Sequence, residues 1–133
     1  MESKKFQHED SEKKILIVDD DPVTLKMLEK ILLSEGYWVA KANNGKDALY
    51  IADDFLPDVI ILDIMMPIMD GAITLNKLEK NPRTRNIPVL FLTSLISKTE
   101  ELKKSIRNRR VLAKPIDKDM LLREISKCIE KAH

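Results

Sequence analysis

The chain has 133 residues, 44% of them apolar, enough for one hydrophobic core and scarcely for two. Its 23 basic and 22 acidic side chains leave a formal charge of +1, so no overall field favours nucleic acid or an anionic membrane as partner. One cysteine, Cys128, excludes an intrachain disulfide and a multi-cysteine zinc site and fits a reducing compartment, with the cytoplasm as the expected location. The two histidines, His8 and His133, stand in the polar leader and at the last position, which removes the usual general base for a serine or cysteine nucleophile. Chemistry is left to carboxylates, hydroxyls and lysines.

Residues 1–13 read as a polar leader expected to be poorly ordered, and residues 14–133 as the folded domain. The leader has no apolar segment of signal-peptide type, and no later run approaches the roughly 20 apolar residues that span a bilayer. From there β-branched runs alternate with amphipathic segments. The first strand is Ile15 to Val18, and Pro22 then opens a helix carrying Leu25, Leu28, Ile31 and Leu32 on one face, closed by Gly36. A second strand lies around Tyr37 to Ala42, with Tyr37 and Trp38 as packing residues. Asn44 caps a helix that stops before Pro57. Val59 to Leu62 and Val89 to Leu92 are apolar at every position, as strands covered by helices on both faces require. A short fifth strand, Val111 to Ala113, precedes a helix capped by Asp117 with Leu121, Leu122, Ile125, Cys128 and Ile129 at helical spacing. The expectation is a doubly wound, flavodoxin-like α/β domain with a five-stranded parallel sheet in the order 2-1-3-4-5 and five helices.

Each strand runs into a polar residue: Asp19-Asp20-Asp21 after the first, Asp63 after the third, Thr93-Ser94 after the fourth, Lys114-Pro115 after the fifth. In a parallel sheet these emerge at one edge, and ligands of open α/β sheets bind there, at the switch point between strands one and three. Carboxylates gathered at that point repel by about 1 kcal/mol per pair in water and about 4 near a protein surface, and so call for a cation. An all-oxygen site with few protein ligands suits Mg²⁺. Lys114, the Thr93 hydroxyl and the Ser94 backbone N–H complete a set able to clamp a phosphoryl group, and an aspartate can serve as nucleophile to give an acyl phosphate.

The segments ILIVDDDP, VIILDIMMPIMDG, VLFLTS and VLAKP resemble, in order and spacing, the four signatures of response-regulator receiver domains from two-component systems, across about Lys14 to Lys131. The resemblance implies that Asp63 is phosphorylated, that Asp20 binds Mg²⁺ directly and Asp19 mainly through water, and that the backbone carbonyl of Met65 is a third protein ligand. It further implies that Thr93 and Lys114 hold the phosphoryl group and that Lys114-Pro115 is a cis peptide. Asp21 reads better as a helix cap. Met65, Met66 and Met69 read as packing beneath the site, and Arg107, Arg109 and Arg110 as a solvated loop beside the lysines at 103 and 104. Val111 stands where the family usually has an aromatic switch residue, so signalling is expected to leave through the loop from Thr93 to Lys98 with little rearrangement at Val111.

The function so implied is a phosphoacceptor switch, charged by a histidine kinase or phosphotransfer protein, with an unknown downstream partner, no direct nucleic-acid or membrane contact, and no enzymatic activity beyond self-phosphorylation and slow autodephosphorylation. A phosphorylation-independent interaction module is the alternative. An aspartate-nucleophile phosphatase ranks last, because that signature places a second aspartate two residues after the nucleophile, where this chain has Met65.

Overall fold

Val59, Ile60, Ile61 and Leu62 are buried without exception, as are Val89, Leu90, Phe91 and Leu92. Both strands have neighbours on each side and helices above and below, so neither face of the pleat meets water. The structure, a computed structural model, describes residues 13–66, 69–94 and 109–132. Its strands are β1 (Lys14–Val18), β2 (Trp38–Ala42), β3 (Val59–Asp63), β4 (Val89–Thr93) and β5 (Arg110–Ala113). All pair in parallel, in the order β2-β1-β3-β4-β5 expected from the sequence.

The helices are α1 (Pro22–Ser34), α2 (Gly45–Phe55), α3 (Gly71–Lys80) and α4 (Lys118–Ala132). Among the described residues there are four helices where five were expected; the remaining one, between β4 and β5, falls in residues 95–108, outside the described residues. The loop from Thr93 to Lys98 lies mostly outside them as well.

Alternation along the strands divides the core into two layers. Leu16, Val18, Ile60, Leu62 and Phe91 point to one face and pack with Ala48 and Ala52 of α2 and Leu75 and Leu78 of α3. Ile15, Ile17, Ile61, Leu90 and Leu92 point to the other, against Leu25, Leu28 and Leu32 of α1 and Leu121, Ile125 and Cys128 of α4. Cys128 is core filling, as its place in the apolar stripe predicts, and burial raises its thiol pKa. Val111 packs half-buried against the first layer.

Local chemistry sets the helix ends. Asp21 accepts from the Val23 N–H at 3.0 Å and from Thr24 Oγ1 at 2.9 Å, capping α1 ahead of Pro22. Asn44 caps α2, accepting from the Asp47 N–H at 2.7 Å, and Asp117 accepts from the Met120 N–H at 3.1 Å at the start of α4. At the end of α1, Gly36 takes φ 93°, while its N–H bonds the Leu33 carbonyl at 3.0 Å and the Tyr37 N–H bonds the Leu32 carbonyl at 3.1 Å. That doubled bond pattern requires the left-handed conformation glycine supplies.

Two sequence readings need correction. Trp38 is 62% exposed and does not pack, whereas Tyr37 is half-buried against the second layer. Trp38 begins β2, an edge strand, and its side chain is left uncovered there. Arg109 and Arg110 do not form a solvated loop: Arg109 pairs with Glu79 of α3, and Arg110 Nη1 with Glu124 Oε1 of α4 at 2.9 Å. They pin the start of β5 to a helix on each face.

Replacing Gly36 by alanine places a side chain in the left-handed region, and the expected cost is about 1–2 kcal/mol. Urea unfolding followed by circular dichroism checks it, as a lowered midpoint with unchanged slope.

Candidate functional site

The parallel register carries the chain's chemistry to one edge. Val18 lies opposite Ala42 on one side and Leu62 on the other, so Asp19 follows β1 where Asp63 ends β3. Asp63 in turn lies opposite Leu92, with Thr93 one residue beyond and buried. The Lys114 N–H bonds the Thr93 carbonyl at 2.8 Å, bringing the end of β5 to the end of β4. Asp19, Asp20, Asp63, Thr93 and Lys114 thus share the edge that their position after each strand predicts.

Asp19 is fully buried, Asp63 nearly so and Asp20 exposed, and one carboxylate oxygen of each lies within 4.8 Å of the others. Both Asp19 oxygens are engaged: Oδ1 accepts from the Asp21 N–H at 2.9 Å and Oδ2 from Lys114 Nζ at 2.9 Å. Lys114 Nζ also stands 3.6 Å from Asp63 Oδ2, so one ammonium bridges the two buried carboxylates. The Met65 N–H donates to Asp63 Oδ1 at 3.2 Å, wrapping the backbone around the carboxylate. The Lys114-Pro115 bond is cis, as expected.

Burial raises the Asp63 pKa to about 6; the Asp19 charge adds to the rise, and Lys114 and the Met65 N–H oppose it. Burial acts to lower the Lys114 pKa, but the hydrogen bond to Asp19 and the charge of Asp63 outweigh it and leave the ammonium above its usual value. Asp21 is held below its ordinary value chiefly by the Thr24 hydroxyl and the Val23 N–H, its partners at the α1 cap, with a smaller contribution from the charge of Lys114. Three carboxylates against one ammonium leave an excess of two negative charges when all are ionised. An all-oxygen set with that excess fits a hard divalent cation such as Mg²⁺.

The methionines divide rather than acting together: Met66 is buried in the first layer and Met65 is 52% exposed at the mouth. Sequence reading underrated Gly71, whose N–H bonds the Ile64 carbonyl at 2.9 Å, and Asp70, which caps α3 by accepting from the Ile73 N–H at 3.0 Å. The Asp-Gly pair is the signal, since it combines a cap with a residue that permits close approach.

A family model for the response regulator receiver domain matches residues 15–126. The chain belongs to that family. Protein PilH of Pseudomonas aeruginosa is 37% identical over 114 residues, which are 85% of this chain and 94% of that protein. Response regulator PleD of Caulobacter vibrioides is 40% identical over 113 residues, 84% of this chain but only 25% of PleD. Among solved structures, the chemotaxis protein CheY4 of Vibrio cholerae matches with a TM-score of 0.81 at 30% identity, over 88% of this chain and 98% of that one. The receiver domain of the sensor histidine kinase PA1611 of Pseudomonas aeruginosa, which has a magnesium ion coordinated in its active-site cleft, matches at 0.80 and 26% identity, over 90% and 98%. The domain is thus a two-component receiver, a phosphoacceptor signalling module of the kind response regulators carry. No described helix is long and apolar enough to cross a membrane.

A carboxyl whose folded pKa lies above its unfolded value binds more protons folded than unfolded, so its contribution to stability falls as pH rises from about 4 to 6 and stays reduced above. A rise from 3.8 to about 6 corresponds to at most ~3 kcal/mol, which screening at the open edge reduces to about 1–2. Asp63→Asn is therefore expected to stabilise the metal-free domain by that amount at pH 7.5 and by little at pH 4. Denaturant titrations at the two pH values check it; an advantage largest at pH 4 would contradict the sign.

Proposed function

We propose that Asp63 is the phosphoacceptor of this receiver, charged from a phosphohistidine on a histidine kinase or phosphotransfer protein in the cytoplasm. The observation that carries this reading is Lys114 held between Asp19 and Asp63 beside the exposed Asp20, a site with surplus negative charge at the open edge of the sheet. A carboxylate oxygen of Asp63 attacks phosphorus, the P–N bond breaks with its electron pair returning to the imidazole, and an acyl phosphate forms. Lys114 transfers part of its pairing from Asp63 to a phosphoryl oxygen, and the Thr93 hydroxyl donates to another. Asp20, Asp63 and the backbone carbonyl of Met65 would hold Mg²⁺ directly, and Asp19 through water. When bound, the ion would neutralise charge on the transferring oxygens.

The domain changes its partner-binding surface when charged and has no further enzymatic activity beyond slow loss of the phosphoryl group to water. The binding-only alternative finds no support in this site, since a module that never binds phosphate gains nothing from three crowded carboxylates.

Incubation with acetyl phosphate and Mg²⁺ tests the acceptor by intact mass. The unsubstituted domain is expected to gain one phosphoryl group and Asp63→Asn none; stoichiometric labelling of the variant would remove Asp63 from the role. The metal assignment is tested separately. Asp20→Ala is expected to weaken Mg²⁺ by about tenfold or more, the loss of one charged ligand, and Asp21→Ala to leave it within about twofold, because the Asp21 carboxylate is occupied at the α1 cap. Amide chemical shifts are the suitable readout: Trp38 starts β2 while the site follows the strands' far ends, four residues or about 13 Å away.

A further inference from the structure

Gly45 and Gly71 open α2 and α3, and neither has the left-handed backbone that would demand glycine. Alanine at such positions favours the helix by up to about 1 kcal/mol, so the glycines call for another explanation. Their neighbours supply one. A methyl group on Gly71 would lie 2.8 Å from Ile64 Cα, 2.9 Å from the Asp63 carbonyl oxygen and 3.1 Å from Cε1 of Phe91. One on Gly45 would overlap Thr74 Oγ1 and lie 3.0 Å from both Met69 Cγ and the Met69 carbonyl oxygen.

Both cradles act on the connection between β3 and α3, which begins with Asp63 and Met65 at the site. Gly71 backs onto its start, where its N–H holds the Ile64 carbonyl. Gly45 lets α2 close on its end, against Met69 and against Thr74, a fully buried residue whose hydroxyl donates to the Asp70 carbonyl at 2.8 Å. Asp63 and the neighbouring backbone are therefore braced by two helices that contribute no group to the site.

We propose that Gly45 and Gly71 are positioning residues for the metal and phosphoryl site: their missing side chains let α2 and α3 close on this connection and fix the backbone at Ile64 and Met65. The inference rests on the Met65 carbonyl being a metal ligand. Mg²⁺ demands near-ideal octahedral geometry at about 2.0–2.1 Å, so a backbone shift of a few tenths of an ångström lowers affinity without unfolding the domain. Through Gly45, the packing of α2 against α3 sets how tightly a site outside that interface holds its ion.

The test measures Mg²⁺ affinity by calorimetry and by the Ile64 and Met65 amide shifts, in the absence of any phosphodonor. Gly45→Ala is expected to weaken binding by about tenfold, as a misplaced ligand does. Thr74→Ala, which removes the hydroxyl the new methyl would strike, is expected to bind within about twofold of the unsubstituted domain. In the double variant the loss should shrink to about twofold, a coupling expected only of residues in contact. Thr84→Ala controls for stability alone: it removes a buried hydroxyl that donates to the Leu78 carbonyl at 2.7 Å near the far end of α3, and should leave affinity unchanged. Gly71→Ala meets backbone and a packed ring, so it should bind at least as poorly as Gly45→Ala; should it fail to fold, the Gly45 series decides. Unchanged affinity in Gly45→Ala, a double variant no better than the single one, or an equal loss in Thr84→Ala would overturn the proposal. Failure of the unsubstituted domain to bind Mg²⁺ would instead overturn the reading of the site beneath it.

Discussion

The salt bridge between Lys114 and Asp19 joins residues 95 positions apart, and the site depends on it. A fully buried carboxylate costs several kcal/mol of lost hydration unless it is paired and hydrogen-bonded. Asp19 meets both conditions, with Lys114 on one oxygen and the Asp21 N–H on the other. The arrangement requires β1 and β5 to end at the same level of one sheet, which in turn requires β3 and β4 between them in register. The acidic edge is thus a consequence of parallel pairing, and a slip of one residue in β5 would carry Lys114 to the other face of the pleat.

The sheet was legible because burial on both faces leaves little choice of residue. Val59 to Leu62 and Val89 to Leu92 could be read as central strands from their unbroken apolar character, and Asp21, Asn44 and Asp117 as caps because capping is a local exchange between a side chain and an N–H two or three residues on. Asp19, Asp20, Asp63, Thr93 and Lys114 were legible for a related reason: each follows a strand, and topology sends every such position to one edge. What the sequence did not disclose depends on long-range neighbours. Trp38 has the composition of a packing residue, but β2 is an edge strand whose first residue is left uncovered. Arg109 and Arg110 look like a basic run until Glu79 and Glu124 are brought to them from two helices. The split between Met65 at the mouth and Met66 in the core likewise follows from which way the chain turns after Asp63.

Those arginines bear on how a signal leaves the site. Val111, between the pinned start of β5 and the Lys114 end, packs against the layer that contains Phe91, and its branched side chain has few rotamers to exchange. Arg109 and Arg110 tie the same strand to α3 and α4. A strand anchored to both helical layers and carrying a stiff residue at its centre resists local rearrangement. Such a strand is a poor carrier of a signal; the other route expected from the sequence, the chain that follows Thr93, lies mostly outside the described residues.

The electrostatics of the site oppose the packing that creates it. Each buried leucine or isoleucine of the two layers contributes about 1.5–3 kcal/mol, and that surplus is what permits three carboxylates to be crowded at one edge. One ammonium offsets part of their repulsion, and the burial of Asp63, with the charge of Asp19 second to it, leaves a remainder that shows as a raised pKa. A divalent cation reverses the sign of that remainder, because it favours the ionised carboxylates that the metal-free fold resists. Metal binding and folding are therefore linked: an ion that binds the folded domain and not the unfolded chain must stabilise it by mass action. The same linkage favours an ionised Asp63, the form that the proposed attack on phosphorus requires, so an ion that stabilises the fold would also prepare the proposed nucleophile.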